Sequence, residues 1–367
     1  MLFVLLDGSR WDRVHISREF IELQKKGTYF NNVTTAAPYT FASMNIIFTG
    51  LYGKENGVDG YYKMFRLKDS VDFLPELLQK NGYFTSCDLI SDKVISKRGF
   101  DIYSSHNEYA DDLFLLHPEI IKNSFNKAKG KPVFSFLQFS NIHTVTVSEV
   151  LKKFEWNDKK FYQRKKENLQ VYDKAFEKAG KYAKKIQQTI DELGKSNDTI
   201  IIFYSDHGTG VGERFGERNY GVFTFEETIR TFYLFVGPGI VPNQKCEKLL
   251  RTIDILPTIL ELCEIEIDSK LPGKSFSPYL FNNLSKLIDV PFTFSETGGL
   301  QGPFPSPKKP NVFCIKTNSH KLIYFKTVNE WKLFDLINDP LETKNLFDQG
   351  LQVEQKLKKK LLEWINR

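Results

Sequence analysis

The sequence predicts an α/β protein, with a large, mostly parallel sheet sandwiched by helices and a small C-terminal antiparallel α+β subdomain. Strand-length apolar runs such as "LFVLL" and "TIIIF" alternate with stretches of helical spacing, the pattern of a parallel sheet covered on both faces. Polar residues stand directly behind those runs, where open α/β sheets bind ligands. Past residue 285 the texture changes to a Pro- and Gly-rich loop followed by short strands close together in sequence. The expected organisation is therefore a large α/β unit over 1–285 and a small subdomain over 286–367.

Each element has its own signal. "LFVLLD" is a buried strand ending at Asp7, and "HISREFIELQKKGTYFNNV" is an amphipathic helix followed by a second strand. "FLPELLQKNGYFTSCDL" repeats that scheme: Leu74, Leu77 and Leu78 share a helical face, Asn81-Gly82 stops it, and the chain continues extended. "PVFSFLQF" is a further strand over 132–139. The Lys-rich segment 147–195 has helical spacing and gives way at "GKSNDT" to the strand "TIIIFYSD". After "GPFPSPKKPN" come "VFCIKTNSHKLIYFK", "WKLFDL" and an amphipathic terminal helix, "QVEQKLKKKLLEWINR", whose lysines read as its solvated face.

The bulk numbers bound the function. The chain has 367 residues, 41% of them hydrophobic and 26% charged, as in an ordinary globular protein. Its net charge of +6 is spread along the sequence, which gives no footprint for nucleic acid. No apolar run approaches the roughly 20 residues of a membrane-spanning helix, and "MLFVLL" lacks the basic start of a signal peptide. A cytoplasmic location is the expectation. Cys87, Cys246, Cys263 and Cys314 are isolated and read as free thiols.

Three strand ends carry candidate ligands. Asp7 is followed by Gly8, which permits a sharp turn; the alternative is that the aspartate caps a helix. His143 follows the strand 132–139, with a structural role as the alternative. In "IIFYSDHGTGVGERFG", Asp206 and His207 stand together where a buried strand gives way to glycines. Oxygen and imidazole ligands together suit zinc, manganese or iron, whereas an all-oxygen set suits calcium or magnesium. In "AAPYTFASMNIIFTGLYGKENGV", Thr40 and Ser43 begin a short helix. A hydroxyl on that first turn can attack an anionic group bound there, or Thr40 can simply cap the helix.

"LLDGSRWD", "TFASMNIIFTGLYGKENGV", "NDTIIIFYSDHG", "FEETIRTFYLFVGPGI", "RTIDILPTILELCEIEIDSKLPGKSFSPYL" and "WKLFDLINDPLETKNL" follow one another in this order. Together they resemble the sulfatase branch of the alkaline phosphatase superfamily over nearly the whole chain. The resemblance implies that Asp7, Asp206 and His207 are metal ligands, and that Thr40 is a metal-bound nucleophile. It implies that His143 contacts the substrate or leaving group.

The departures from the family pattern shape the expected chemistry. The formylglycine of ordinary sulfatases is made from cysteine or serine, so Thr40 closes that route, and Ala42 and Met44 replace the proline and arginine of the signature. What remains is attack by a metal-activated threonine, with a covalent O-linked intermediate. A phosphothreonine clears by in-line attack of water, whereas a threonine sulfate has no aldehyde escape. Phosphate monoester or diester hydrolysis is thus favoured over sulfate ester hydrolysis. The alternatives are a transferase that moves a phospho-substituent onto a glycan or lipid, and an inactive binding protein of the same fold. Gly8 takes the place of a second aspartate, which favours one zinc or manganese ion, with calcium as the alternative. Arg214 replaces a histidine frequent in relatives, and Arg214 or Arg218 is expected either to clamp the substrate anion or to form an ion pair. The expected partner is a small-molecule, glycan or lipid ester.

Overall fold

The computed structural model describes residues 1–155, 158–283 and 289–367. Nine strands form the main sheet: β1 (Leu2–Leu6), β2 (Gly27–Thr34), β3 (Phe84–Leu89), β4 (Ile102–Ser105), β5 (Val133–Phe139), β6 (Ile201–Tyr204), β7 (Arg230–Val236), β8 (Gln244–Cys246) and β9 (Leu250–Arg251). Their order is β4-β3-β5-β1-β6-β7-β2-β8, with β9 also pairing to β2. The five strands from β4 to β6 are mutually parallel. β7 runs antiparallel to both of its neighbours. The reason lies in the connection: residues 205–229 stay near the end of the sheet at which β6 finishes, and the chain re-enters from that end. β2, which follows β1 in sequence, is therefore separated from it by β6 and β7.

Alternation along β1 divides the core. Phe3 and Leu5 point to one face, where the helices Thr40–Thr49, Leu74–Lys80 and Ile255–Leu262 bury Ile47, Phe48, Leu78 and Ile259. Leu2, Val4 and Leu6 point to the other, against Phe20 and the long helix Lys165–Glu192, whose buried stripe includes Tyr172, Phe176, Ala183 and Ile190. With both faces covered, every residue of β1 is buried, as its unbroken apolar sequence requires.

The C-terminal sheet is antiparallel and runs in sequence order: β10 (Thr293–Thr297), β11 (Val312–Lys316), β12 (His320–Phe325) and β13 (Glu330–Asp335). The helix Gln352–Ile365 covers one face through Leu357 and Leu361. The other face, with Cys314, Ile323 and Phe334, packs on Phe223, Phe225 and Ile229 of the segment that follows β6. The expected division at 285/286 falls outside the described residues. A buried ion network reinforces the contact: Lys321 lies 2.5 Å from Glu342 and 3.2 Å from Glu226, and Lys316 lies 2.8 Å from Glu226.

Candidate active site

β1 and β6 are adjacent and parallel, with Leu5 opposite Tyr204, so the residues that follow them emerge side by side. Asp7 leaves the end of β1, and Asp206 and His207 leave the end of β6. All three side chains are buried. Glycines allow close approaches at both strand ends. Gly8 has φ +70°, and a Cβ on it would stand 2.8 Å from Thr209 Oγ1. A Cβ on Gly208 would stand 2.1 Å from the carbonyl oxygen of Glu227, in the segment before β7.

The side chains converge and their hydrogen bonds leave a specific deficit. Asp7 Oδ2 accepts from Gln138 Nε2 at 2.7 Å, but Asp7 Oδ1 has no partner. Asp206 Oδ1 faces the Gly8 N–H at 3.4 Å, while its Oδ2 has none. His207 Nδ1 donates to the Gly208 carbonyl at 2.8 Å, which leaves the Nε2 lone pair facing inward. That nitrogen is 3.8 Å from Asp7 Oδ1 and 3.4 Å from Asp206 Oδ2. Two unpartnered carboxylate oxygens and a lone pair aimed at one another repel unless a cation lies among them. Burial, followed by the nearby Asp206, pushes the Asp7 carboxyl up to about 6, and burial pushes Asp206 up to about 7. Burial also pushes the His207 imidazole down. The donor set fits a divalent metal ion, whose charge would offset both carboxylates.

Thr40 is the first residue of the helix Thr40–Thr49, and the capping position belongs to Tyr39. Its hydroxyl lies 3.1 Å from His207 Nε2, at the mouth of the ligand cluster. Ser43, one turn on, donates to the Asp206 carbonyl at 2.9 Å and fastens the helix start to the β6 end. His143 lies on the short helix Asn141–Val145 after β5, with its Nδ1 3.0 Å from the Tyr220 hydroxyl. The Tyr220 ring in turn lies against His207, with centroids 4.1 Å apart.

Asp7, Thr40, Asp206 and His207 therefore meet, and His143 joins them through Tyr220. The arginines take other places. Arg214 bonds Glu227 at 2.7 Å and the carbonyls of Leu341 and Glu342, linking the post-β6 segment to the C-terminal region. Arg218 donates to the carbonyls of Leu151, Phe154 and Glu155. Arg214 thus forms the ion pair expected as the alternative to an anion clamp, whereas Arg218 is engaged by backbone carbonyls. Sequence reasoning missed Gln138 and Tyr220. Gln138 is legible as the lone amide in the apolar run "PVFSFLQF", whereas Tyr220 lies in a loop that carries no local signal.

Residues 1–265 match the family model described as Sulfatase, and residues 218–367 match the C-terminal region of N-sulphoglucosamine sulphohydrolase. Arylsulfatase K of Canis lupus familiaris is 29% identical over 182 residues, covering 48% of this chain but only 32% of that relative's length. A solved 2-O GAG sulfatase superposes with a TM-score of 0.82 at 17% identity, covering 100% of this chain and 92% of its own. The phosphonate monoester hydrolase of Agrobacterium radiobacter superposes at 0.75 with 15% identity, covering 99% and 94%. At these identities the superpositions speak for the fold.

Proposed function

The chain belongs to the sulfatase family, and from that premise we propose that it is a metal-dependent ester hydrolase with Thr40 as nucleophile. The observation that carries this reading is the Thr40 hydroxyl 3.1 Å from His207 Nε2, beside the unpartnered oxygens of Asp7 and Asp206. Asp7, Asp206, His207 and Thr40 would hold the metal. The imidazole and the single strand-end aspartate at 7–8 favour zinc or manganese over calcium. When bound, the metal supplies Lewis acidity that eases loss of the Thr40 proton and offsets charge on the transferred group.

The chain's own residues do the rest. The first-turn N–H groups of the helix Thr40–Thr49 favour an anionic ester at its N-terminus. Thr40 Oγ1 bonds to the central phosphorus or sulfur as the ester oxygen leaves. His143, its Nδ1 occupied by Tyr220, turns Nε2 toward that leaving oxygen and delivers a proton. The Thr40 proton passes to solvent in this step. Water then attacks the threonine ester, giving a proton back to His143 as Thr40 Oγ1 takes one from solvent and becomes the hydroxyl again. Threonine lacks the aldehyde escape open to formylglycine, so the reading favours phosphate esters and diesters over sulfate esters. The phosphonate monoester hydrolase neighbour is consistent with phosphorus chemistry on this fold.

Hydrolysis of a bis-aryl phosphate, an aryl phosphate and an aryl sulfate by protein of known metal content tests the proposal. Turnover of the phosphorus esters above the sulfate is expected. Faster turnover of the sulfate would reverse the substrate assignment.

A further inference from the structure

Among the described residues, a second convergence of buried ligand-type side chains lies beside the site: Asp88 near the end of β3, His106 just after β4, and His117 in the helix Leu113–Ala128. Asp88 Oδ2 accepts from His106 Nδ1 at 2.6 Å and from His117 Nε2 at 3.0 Å, and Asp88 Oδ1 accepts from Ser104 at 2.9 Å. In neutral rings with these N–H groups turned to the carboxylate, the opposite ring nitrogens are acceptors. The Ser140 hydroxyl donates to His106 Nε2 at 3.0 Å, and the Tyr182 hydroxyl donates to His117 Nδ1.

A metal at this second cluster would need the ring lone pairs facing Asp88. Both rings would then have to donate outward, and the buried Ser140 and Tyr182 hydroxyl protons would lose their acceptors. The contrast with Asp7 and Asp206 is direct: that site has unpartnered oxygens, and this network is closed.

The network ends at the peptide that carries His143. Ser140 is the first residue after β5 and stands at the N-cap of the helix Asn141–Val145, yet its side chain makes no capping bond. It is turned to His106 instead. One turn later Thr144 donates to Glu108 at 2.6 Å, so residues just after β4 grip both ends of this helix. The helical run continues as a π turn over Thr146–Val150 and Ile142 packs in the core, so these two tethers add to packing in fixing how its first turn is oriented.

We propose that Asp88, His106 and Ser140 form a buried relay whose task is to position His143 against the leaving group. They are positioning residues, and the inference rests on the role assigned to His143 above. Such a buried network serves orientation rather than stability.

Ser140→Ala removes one hydroxyl and His106→Gln breaks the relay. Each is measured with methyl nitrophenyl phosphate, whose leaving group needs little protonation, and with methyl phenyl phosphate, whose leaving group needs more. The expected result is a kcat loss about tenfold larger on the phenyl ester than on the nitrophenyl ester, a fraction of what proton transfer contributes. Neither change should add to that selectivity in a His143→Ala background. Nitrogen NMR of the His143 ring reads the same displacement without turnover, and its resonances should shift in Ser140→Ala. Equal losses on both esters, additivity with His143→Ala, or unshifted ring resonances would overturn the relay. A second metal equivalent per chain that disappears in His106→Gln would overturn it in favour of a metal site. If His143→Ala itself shows no leaving-group selectivity, the role given to His143 is the part that fails, and the relay's purpose falls with it.

Discussion

Ser43 Oγ donates to the backbone carbonyl of Asp206 at 2.9 Å and lies 3.0 Å from the Thr35 hydroxyl, so one buried hydroxyl ties the Thr40 helix to two strand ends. Ser43→Ala leaves the Asp206 carbonyl without this donor in a dry setting, a loss of about 1–3 kcal/mol. Because it also frees the first helical turn to drift from the ligands, kcat should fall more than KM changes. Steady-state kinetics beside a melting curve separate the two effects.

Thr40 admits a graded test. Thr40→Ser keeps the attacking oxygen and should retain activity within about tenfold, the modest change expected when only a methyl is lost. Thr40→Ala should lower kcat by at least about a thousandfold, the scale of losing a nucleophile that acts with a base and a metal. Both variants should keep their bound metal, which elemental analysis of the purified proteins measures.

Metal removal should be felt in stability as well as in activity. Asp7 and Asp206 are buried carboxylates pushed up by burial, and a cation among them stabilises the folded form alone. With free metal at a thousand times its dissociation constant the linkage amounts to about 4 kcal/mol. Chelation should therefore lower Tm and abolish turnover together, and zinc or manganese should restore both. Asp206→Asn, which removes one of the charges, should show a smaller drop in Tm on chelation than the parent protein.

Glu217 gives a pH signature apart from the ligand cluster. Its Oε1 accepts from the Val222 and Phe223 N–H groups, its Oε2 has no partner, and burial pushes its carboxyl up to about 8. The folded state thus binds this proton more tightly than the unfolded chain. The contribution is full below the ordinary glutamate range and is lost as pH rises through about 8. Glu217→Gln mimics the protonated form and should gain on the order of 2 kcal/mol relative to the parent at pH near 8. Denaturant midpoints of the two proteins at acidic and alkaline pH supply the comparison.

Much of the fold was legible because β1, β5 and β6 each end in a change from apolar to polar residues. Asp7 behind "LFVLL" and Asp206-His207 behind "IIFY" each stood out at a strand end and were joined by the family resemblance. The adjacency of β1 and β6 that brings them together is a property of the fold. The reversal of β7 was not legible, since "TFYLFV" is as apolar as the parallel strands β1 and β5, and direction is set by the connection before it. Tyr220, His106 and His117 were missed for a related reason. Their partners lie far away in sequence, so no local spacing betrays them. Arg214 drew attention through its place after "SDHG", and only the fold reveals Glu227 and the C-terminal carbonyls that occupy it.

The most direct test is to stop turnover of a bis-aryl phosphate with acid within one catalytic cycle and map the peptides by mass. An arylphosphoryl adduct on Thr40, keeping one of the two aryl groups, that forms and decays at the rate of turnover is the predicted result. Undiminished turnover in Thr40→Ala, or an adduct on another residue, would contradict the threonine mechanism at its root.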